Sequence, residues 1–266
     1  MGFRPGRFLL WVIALLPTAI CSAEDAHQFV QQAVQTELAR DRDDHSLWIY
    51  LETDRKGDRS VTQWVADARD GSLHRVLESN GQMVPEPEQR RKMDSYILDS
   101  WARSRQRKSQ QNDDEQATEL LNLLPQAFVW TREGEQGNCS LLHFKPNPQF
   151  RPPDLESRVF AAMEGEMAVD KEQHRIASLR GRLIHDVKIA GGLLGSLSAG
   201  GTFDVERRQT GPGVWQITET HVHIQGHALI FKTISEQEDD VKSEFRQLPG
   251  NTTMQQSEGE LLAEKK

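Results

Sequence analysis

Glu219, His221 and His223 alternate with Thr220 and Val222, so an extended backbone turns all three toward one face. Two imidazoles in His-x-His spacing can share a metal such as Zn²⁺, and Glu219 can supply an oxygen. The same alternation also describes the solvated outer face of a sheet, where imidazoles hold no ion. Ser196 and Ser198 stand in Gly195-Ser-Leu-Ser-Ala-Gly200. A nucleophile elbow around Ser198 needs glycine at 196, where serine sits. Gly191-Gly-Leu-Leu-Gly195 has neither the spacing nor the strand–helix context of a dinucleotide loop. Cys139 has no partnered histidine motif and reads as a small apolar residue. These residues name no reaction, and no cofactor or resident metal is expected.

The apolar side chains are more informative. Val187-Lys-Ile-Ala-Gly-Gly-Leu-Leu-Gly-Ser-Leu197 is apolar and glycine-rich where polar turn residues are expected between strands. Either it folds over the sheet end and closes the core, or it forms a flap whose Leu193, Leu194 and Leu197 meet lipid or a partner. Trp48, Tyr50, Trp64, Trp101 and Trp215 supply large surfaces for a core or for a ligand box. On a half-open sheet the two roles overlap. Trp48, Trp64, Trp101, Leu193, Leu194, Leu197 and Trp215 are therefore the candidate ligand contacts.

The elements that must position them follow from periodicity. Residues 24–40 place Phe29, Ala33, Val34 and Leu38 on one helical face. Strand-like runs follow at 47–51, 60–65 and 73–77, with Asp70-Gly71 and Asn80-Gly81 as hairpin turns. Pro85-Glu-Pro-Glu88 opens a helix with an apolar stripe of Met93, Tyr96, Ile97 and Trp101. The clusters Arg90–Lys92 and Arg103–Lys108 belong to its wet face. A polar break at 109–114 and a short helix at 117–124, ended by Pro125, come next. Strands at 127–131 and 140–144, a short amphipathic segment at 154–163 and an all-β remainder complete the pattern. Within that remainder Gln225-Gly226 reads as a turn. Short connections imply antiparallel pairing throughout.

The run Phe8–Ile20 follows Arg4 and Arg7 and ends at Cys21-Ser-Ala23. It has the form of a secretory signal peptide, residues 1–23, cleaved after about Ala23. It is too short to span a bilayer, where roughly 20 residues are needed. Export to a periplasm is expected, with one domain at 24–249 and a disordered tail at 250–266. Loss of residues 1–23 removes two arginines and no acid from a chain of net charge −8. That balance disfavours nucleic acid as a partner. Only Cys139 would remain, so no internal disulfide can staple the fold.

Two segments of the last third carry a family resemblance. Met167-Ala-Val-Asp-Lys-Glu-Gln-His-Arg-Ile-Ala-Ser-Leu-Arg-Gly-Arg-Leu183 resembles the strand–turn–strand of the LolA-like lipoprotein-sorting and lipid-carrier proteins. Gly213-Val-Trp-Gln-Ile-Thr-Glu-Thr-His-Val-His223 resembles their Gly-x-Trp strand, with Phe245 near the close of the sheet. The resemblance covers about 110 residues; the N-terminal half agrees in architecture only. It implies an α+β fold, a curved antiparallel sheet forming an incomplete barrel, with helices packed on the concave side. It further implies a non-enzymatic monomer that holds lipid or lipoprotein acyl chains in an apolar hollow. No arginine here is assigned to the lid role that a lipoprotein carrier of that family often uses. Two alternatives stay open: an envelope protein-interaction module, and a metal-dependent enzyme using His221 and His223.

Overall fold

The computed structural model describes residues 20–189, 195–228 and 232–265. Residues 1–19 of the expected signal segment 1–23, together with Leu193 and Leu194, lie outside them. The chain opens with α1 (Ile20–Asp43), followed by the meander β1 (Leu47–Lys56), β2 (Arg59–Ala68), β3 (Gly71–Ser79) and β4 (Gln82–Met83). Next come α2 (Glu86–Leu98) and α3 (Ser100–Ala127), then β5 (Phe128–Gln136), β6 (Cys139–Pro146) and α4 (Leu155–Phe160). The rest is β7 (Met163–Asp170), β8 (Ile176–Leu183), β9 (Val187–Ile189), β10 (Gly195–Leu197), β11 (Thr202–Gly211), β12 (Val214–Ala228), β13 (Lys232–Leu248) and α5 (Met254–Ala263).

All strands join one antiparallel sheet ordered β4-β3-β2-β1-β13-β12-β11-β8-β7-β6-β5, with β9 and β10 as a side hairpin on β12. The strands β4 and β5 at its two ends do not pair with each other, so the sheet curls without closing. Gly165 of β7 faces Gly181 of β8. A Cβ on Gly165 would run into the Arg180 carbonyl oxygen, and one on Gly181 into the Phe203 ring. At Gly165 only glycine permits the close approach of the two backbones.

Side chains alternate between two unlike faces. On the concave face Trp130, Phe144, Leu142, Met167 and Leu183 form an apolar floor against α1, α4 and the end of α3. The predicted helical face of α1 is confirmed here, with Ala33 and Val34 buried and Phe29 and Leu38 packed at the border. On the other face of β1–β3, Ile49, Trp64, Ala66 and Leu73 form a second core with Met93 of α2 and Met254 and Leu261 of α5. Helices thus cover the concave side, and α2 and α5 also cover the opposite face at the β1–β3 end.

Several local expectations are corrected. Residues 250–266, expected to be a disordered tail, contain α5. Thr253 caps it through a capping box with Gln256, and Leu261 is wholly buried. Arg75, buried under it, donates to the Leu261 carbonyl at 2.6 Å and the Glu264 carbonyl at 3.0 Å, filling the orphan acceptors of the helix C-terminus. The predicted helix through Trp101 breaks at Asp99. Its carboxylate accepts from the Ala102 backbone N–H at 2.9 Å and starts α3. The supposed break at 109–114 is continuous helix: its Ser, Asn and Asp residues are poor helix formers, yet both flanks are anchored, at Asp99 and against the concave core. Pro125 sits in the last turn of α3 instead of ending it. Gln225-Gly226 is not a turn: β12 runs through it to Ala228, and Gly226 leaves room for the β10 backbone. Left-handed φ at both turn residues, the type I′ signature, occurs at Asn80-Gly81 but not at Asp70-Gly71.

Candidate functional site

A cavity of about 1490 Å³ lies between the concave face and the helices. Its floor is built by alternate residues of the central strands. Phe203 and Val205 come from β11, Val222 and Ile224 from β12, and Leu179 from β8. The register places Phe203 opposite Val222 and Val205 opposite Leu179, so these side chains share one face. The roof is Leu120, Leu121 and Leu124 of α3 with Leu155, Val159 and Phe160 of α4. Leu38 of α1 completes a wall. The polar middle of α3 is exposed around residues 109–119 and stands off the sheet. Asp44, Asp114 and Gln116, all exposed, mark the opening beneath it.

One charged wall borders this apolar space. Glu37 of α1 is fully buried and accepts from the Ile176 backbone N–H at 2.6 Å and from Arg175 at 2.8 Å. Arg207 of β11 completes the ion triad on the same carboxylate and reaches toward Asp41 at 3.8 Å. Arg207 lines the cavity, and its Nε has no hydrogen-bond partner among the described residues. Burial raises the pKa of Asp41, opposed by the neighbouring Arg207 charge.

Beyond β12 the concave face changes character. Asp240 of β13 pairs across the sheet with Asp54 of β1, and Lys242 with Glu52. Burial raises both Asp54 and Glu52, while Lys242 is held charged against burial by Asp240 at 2.8 Å and by Glu52. The hollow therefore has an apolar stretch and a charged stretch side by side.

The candidate residues separate. Trp48 lines the cavity, its indole N–H donating to Ser46 Oγ at 2.7 Å. Trp215 lines it too, donating to Gln173 at 3.1 Å, and Leu197 of β10 joins them. Trp64 does not: it is 5% exposed in the outer core, donating to the Lys265 carbonyl. Trp101 is not part of the lining and is 67% exposed. The expected loop at 187–197 supplies β9 and β10 as hairpin arms, with residues 190–194 outside the described set. Sequence reading missed Leu179, Phe203, Val205, Val222 and Ile224. The alternation Phe203-Asp-Val205-Glu-Arg207 was the available signal, with acids turned outward between cavity residues.

His221 and His223 stand on the opposite, convex face. Both imidazoles turn to Asp239 on β13, His221 Nδ1 at 2.6 Å and His223 Nε2 at 3.2 Å. The hydrogen bond to Asp239 raises the His221 pKa and lowers that of Asp239. Arg180 with Asp204 and Arg208 with Glu219 continue the charged face around them. Among the described residues no group of three or more His, Cys, Asp or Glu is arranged to hold a metal ion. Burial pushes the Cys139 thiol up, away from a reactive thiolate.

Comparison with known proteins adds one likeness. A crystal structure of a DUF1329 family protein from Desulfovibrio piger is similar over 85% of this chain and 92% of that one. The identity is 12% and the TM-score 0.29. No protein-family model and no curated protein matches the chain. Among the described residues no helix is long and apolar enough to cross a membrane.

Proposed function

We propose that this chain is an exported, periplasmic binding protein that shelters a lipophilic group in the hollow of its curled sheet. The ligand is lipid or lipoprotein acyl chains, and the protein works without catalysis. One observation carries the reading: a cavity of about 1490 Å³ whose floor and roof are leucine, isoleucine, valine and phenylalanine. That exceeds the roughly 300–1,000 Å³ of small-molecule pockets. Apolar walls left open to water cost free energy that an acyl chain recovers at about 25 cal/mol per Å² buried. The LolA-like pattern in Met167–Leu183 and Gly213–His223 and the apolar run at Phe8–Ile20 support the ligand class and the address.

Folded protein isolated from an envelope fraction retains lipid detectable by mass spectrometry, and delipidated protein takes up a fluorescent acyl probe. Val222→Trp and Leu179→Trp fill the floor and cut probe affinity by about tenfold or more, with little change in far-ultraviolet circular dichroism. Delipidated wild type that takes up no probe would refute the reading.

A further inference from the structure

We propose that the α2–α3 corner is a docking surface for an anionic lipid bilayer. At this corner the chain leaves the outer face, where α2 packs, and crosses the β3 edge to the concave face, where Gln106 of α3 meets His74. Asp99 ends one helix and caps the next, and Leu98 and Trp101 stand on either side of this junction. Leu98 is 84% exposed and Trp101 67% exposed. Neither belongs to the two cores or the cavity.

Charge gathers at the same place. Between Arg90 and Lys108 the chain has seven basic and two acidic residues, in a protein of net charge −8. Arg103 and Arg107 turn inward onto the carbonyls of Ile97 and Asp70. Arg90 and Lys92 pair with Glu86 and Glu88 along α2. Arg91, Arg105 and Lys108 are exposed. Trp101, Arg105 and Lys108 follow at i, i+4 and i+7, a single helical face, and the Arg105 guanidinium lies 3.9 Å from the Trp101 ring centroid. Arg91 is two turns before Leu98 on α2.

The chemistry selects the partner. A specific protein interface needs on the order of 800 Å² per side, far more than two side chains offer. A bilayer surface needs only a shallow apolar anchor and cations. Trp is favoured at the headgroup level, leucine reaches the acyl boundary, and each exposed cation gains from anionic lipid. A soluble polyanion would use the cations and leave Leu98 idle.

The test is co-sedimentation of the full chain with vesicles. Vesicles of mixed phosphatidylglycerol and phosphatidylcholine bind the protein, phosphatidylcholine alone does not, and added salt weakens the binding. Arg91→Gln/Arg105→Gln/Lys108→Gln weakens it about a hundredfold. Leu98→Ser/Trp101→Ala weakens it about tenfold without changing the melting temperature, since both side chains are already in water. Equal binding to both vesicle types, or to wild type and both variants, overturns the proposal. So does binding to dextran sulfate that matches binding to the vesicles and survives Leu98→Ser/Trp101→Ala. The cavity-filled Val222→Trp protein still docks, so failure of acyl uptake and failure of docking are read separately.

Discussion

Glu37 is fully buried and carries its charge there. One buried carboxylate balances two guanidiniums and a backbone N–H, tying α1 to β8 and β11. Glu37→Gln leaves Arg175 and Arg207 uncompensated in a low-dielectric site and costs about 3–5 kcal/mol, read by urea denaturation. Burial, with Lys242 nearby, depresses the pKa of His74 to about 4, so its neutral Nε2 accepts from the Gln106 amide at 3.0 Å. The unfolded histidine takes a proton near 6.5 and the folded one resists. Stability is full above that value and falls as the pH drops from about 6.5 toward 4. His74→Gln flattens this part of the pH–melting curve. His221 has the opposite sign: Asp239 raises its pKa, so its contribution is present in acid and fades as pH rises past the raised value. Asp239→Asn returns the His221 titration toward 6.5, as followed by NMR.

At the scale of elements, α5 decides how the β1–β3 end is covered. Its Met254 and Leu261 close over Ile49 and Leu73, and Arg75 holds its carboxyl end. Leu261→Ala opens a buried hole and lowers stability by about 2–5 kcal/mol in chemical denaturation. The sequence hid this helix because only two apolar residues in ten turn inward fully and its neighbours are polar. α3 shows the reverse difficulty. Its polar middle gives no amphipathic signal, yet it is helical because both ends are held, at Asp99 and against the concave core. The turn misread at Gln225-Gly226 has a similar origin. Glycine marks turns and close backbone contacts alike, and only the position of β10 tells which applies.

For the whole molecule, curvature makes the hollow. Gly165 and Gly181 separate two effects. Gly165→Ala drives a methyl into backbone and flattens or destabilises the sheet, lowering the melting temperature markedly. Gly181→Ala meets only the edge of the Phe203 ring, which yields into the cavity. The second variant keeps most of its stability and takes up less acyl probe, measured by fluorescence titration.

Alternation, turn residues and a helical stripe determined from the sequence alone that this is an antiparallel α+β protein led by a helix, because periods of two and 3.6 are written in single residues. Trp48, Trp215 and Leu197 were legible as candidates, being large and apolar on such strands, and all three line the cavity. Tertiary structure alone decided that Trp64 faces the outer core, that Trp101 faces water, and that Glu37, Arg175 and Arg207 meet. An aromatic carries no mark of which sheet face it will take once strands bulge. Charges 138 residues apart, as Glu37 and Arg175 are, become neighbours only through the folded path of the chain.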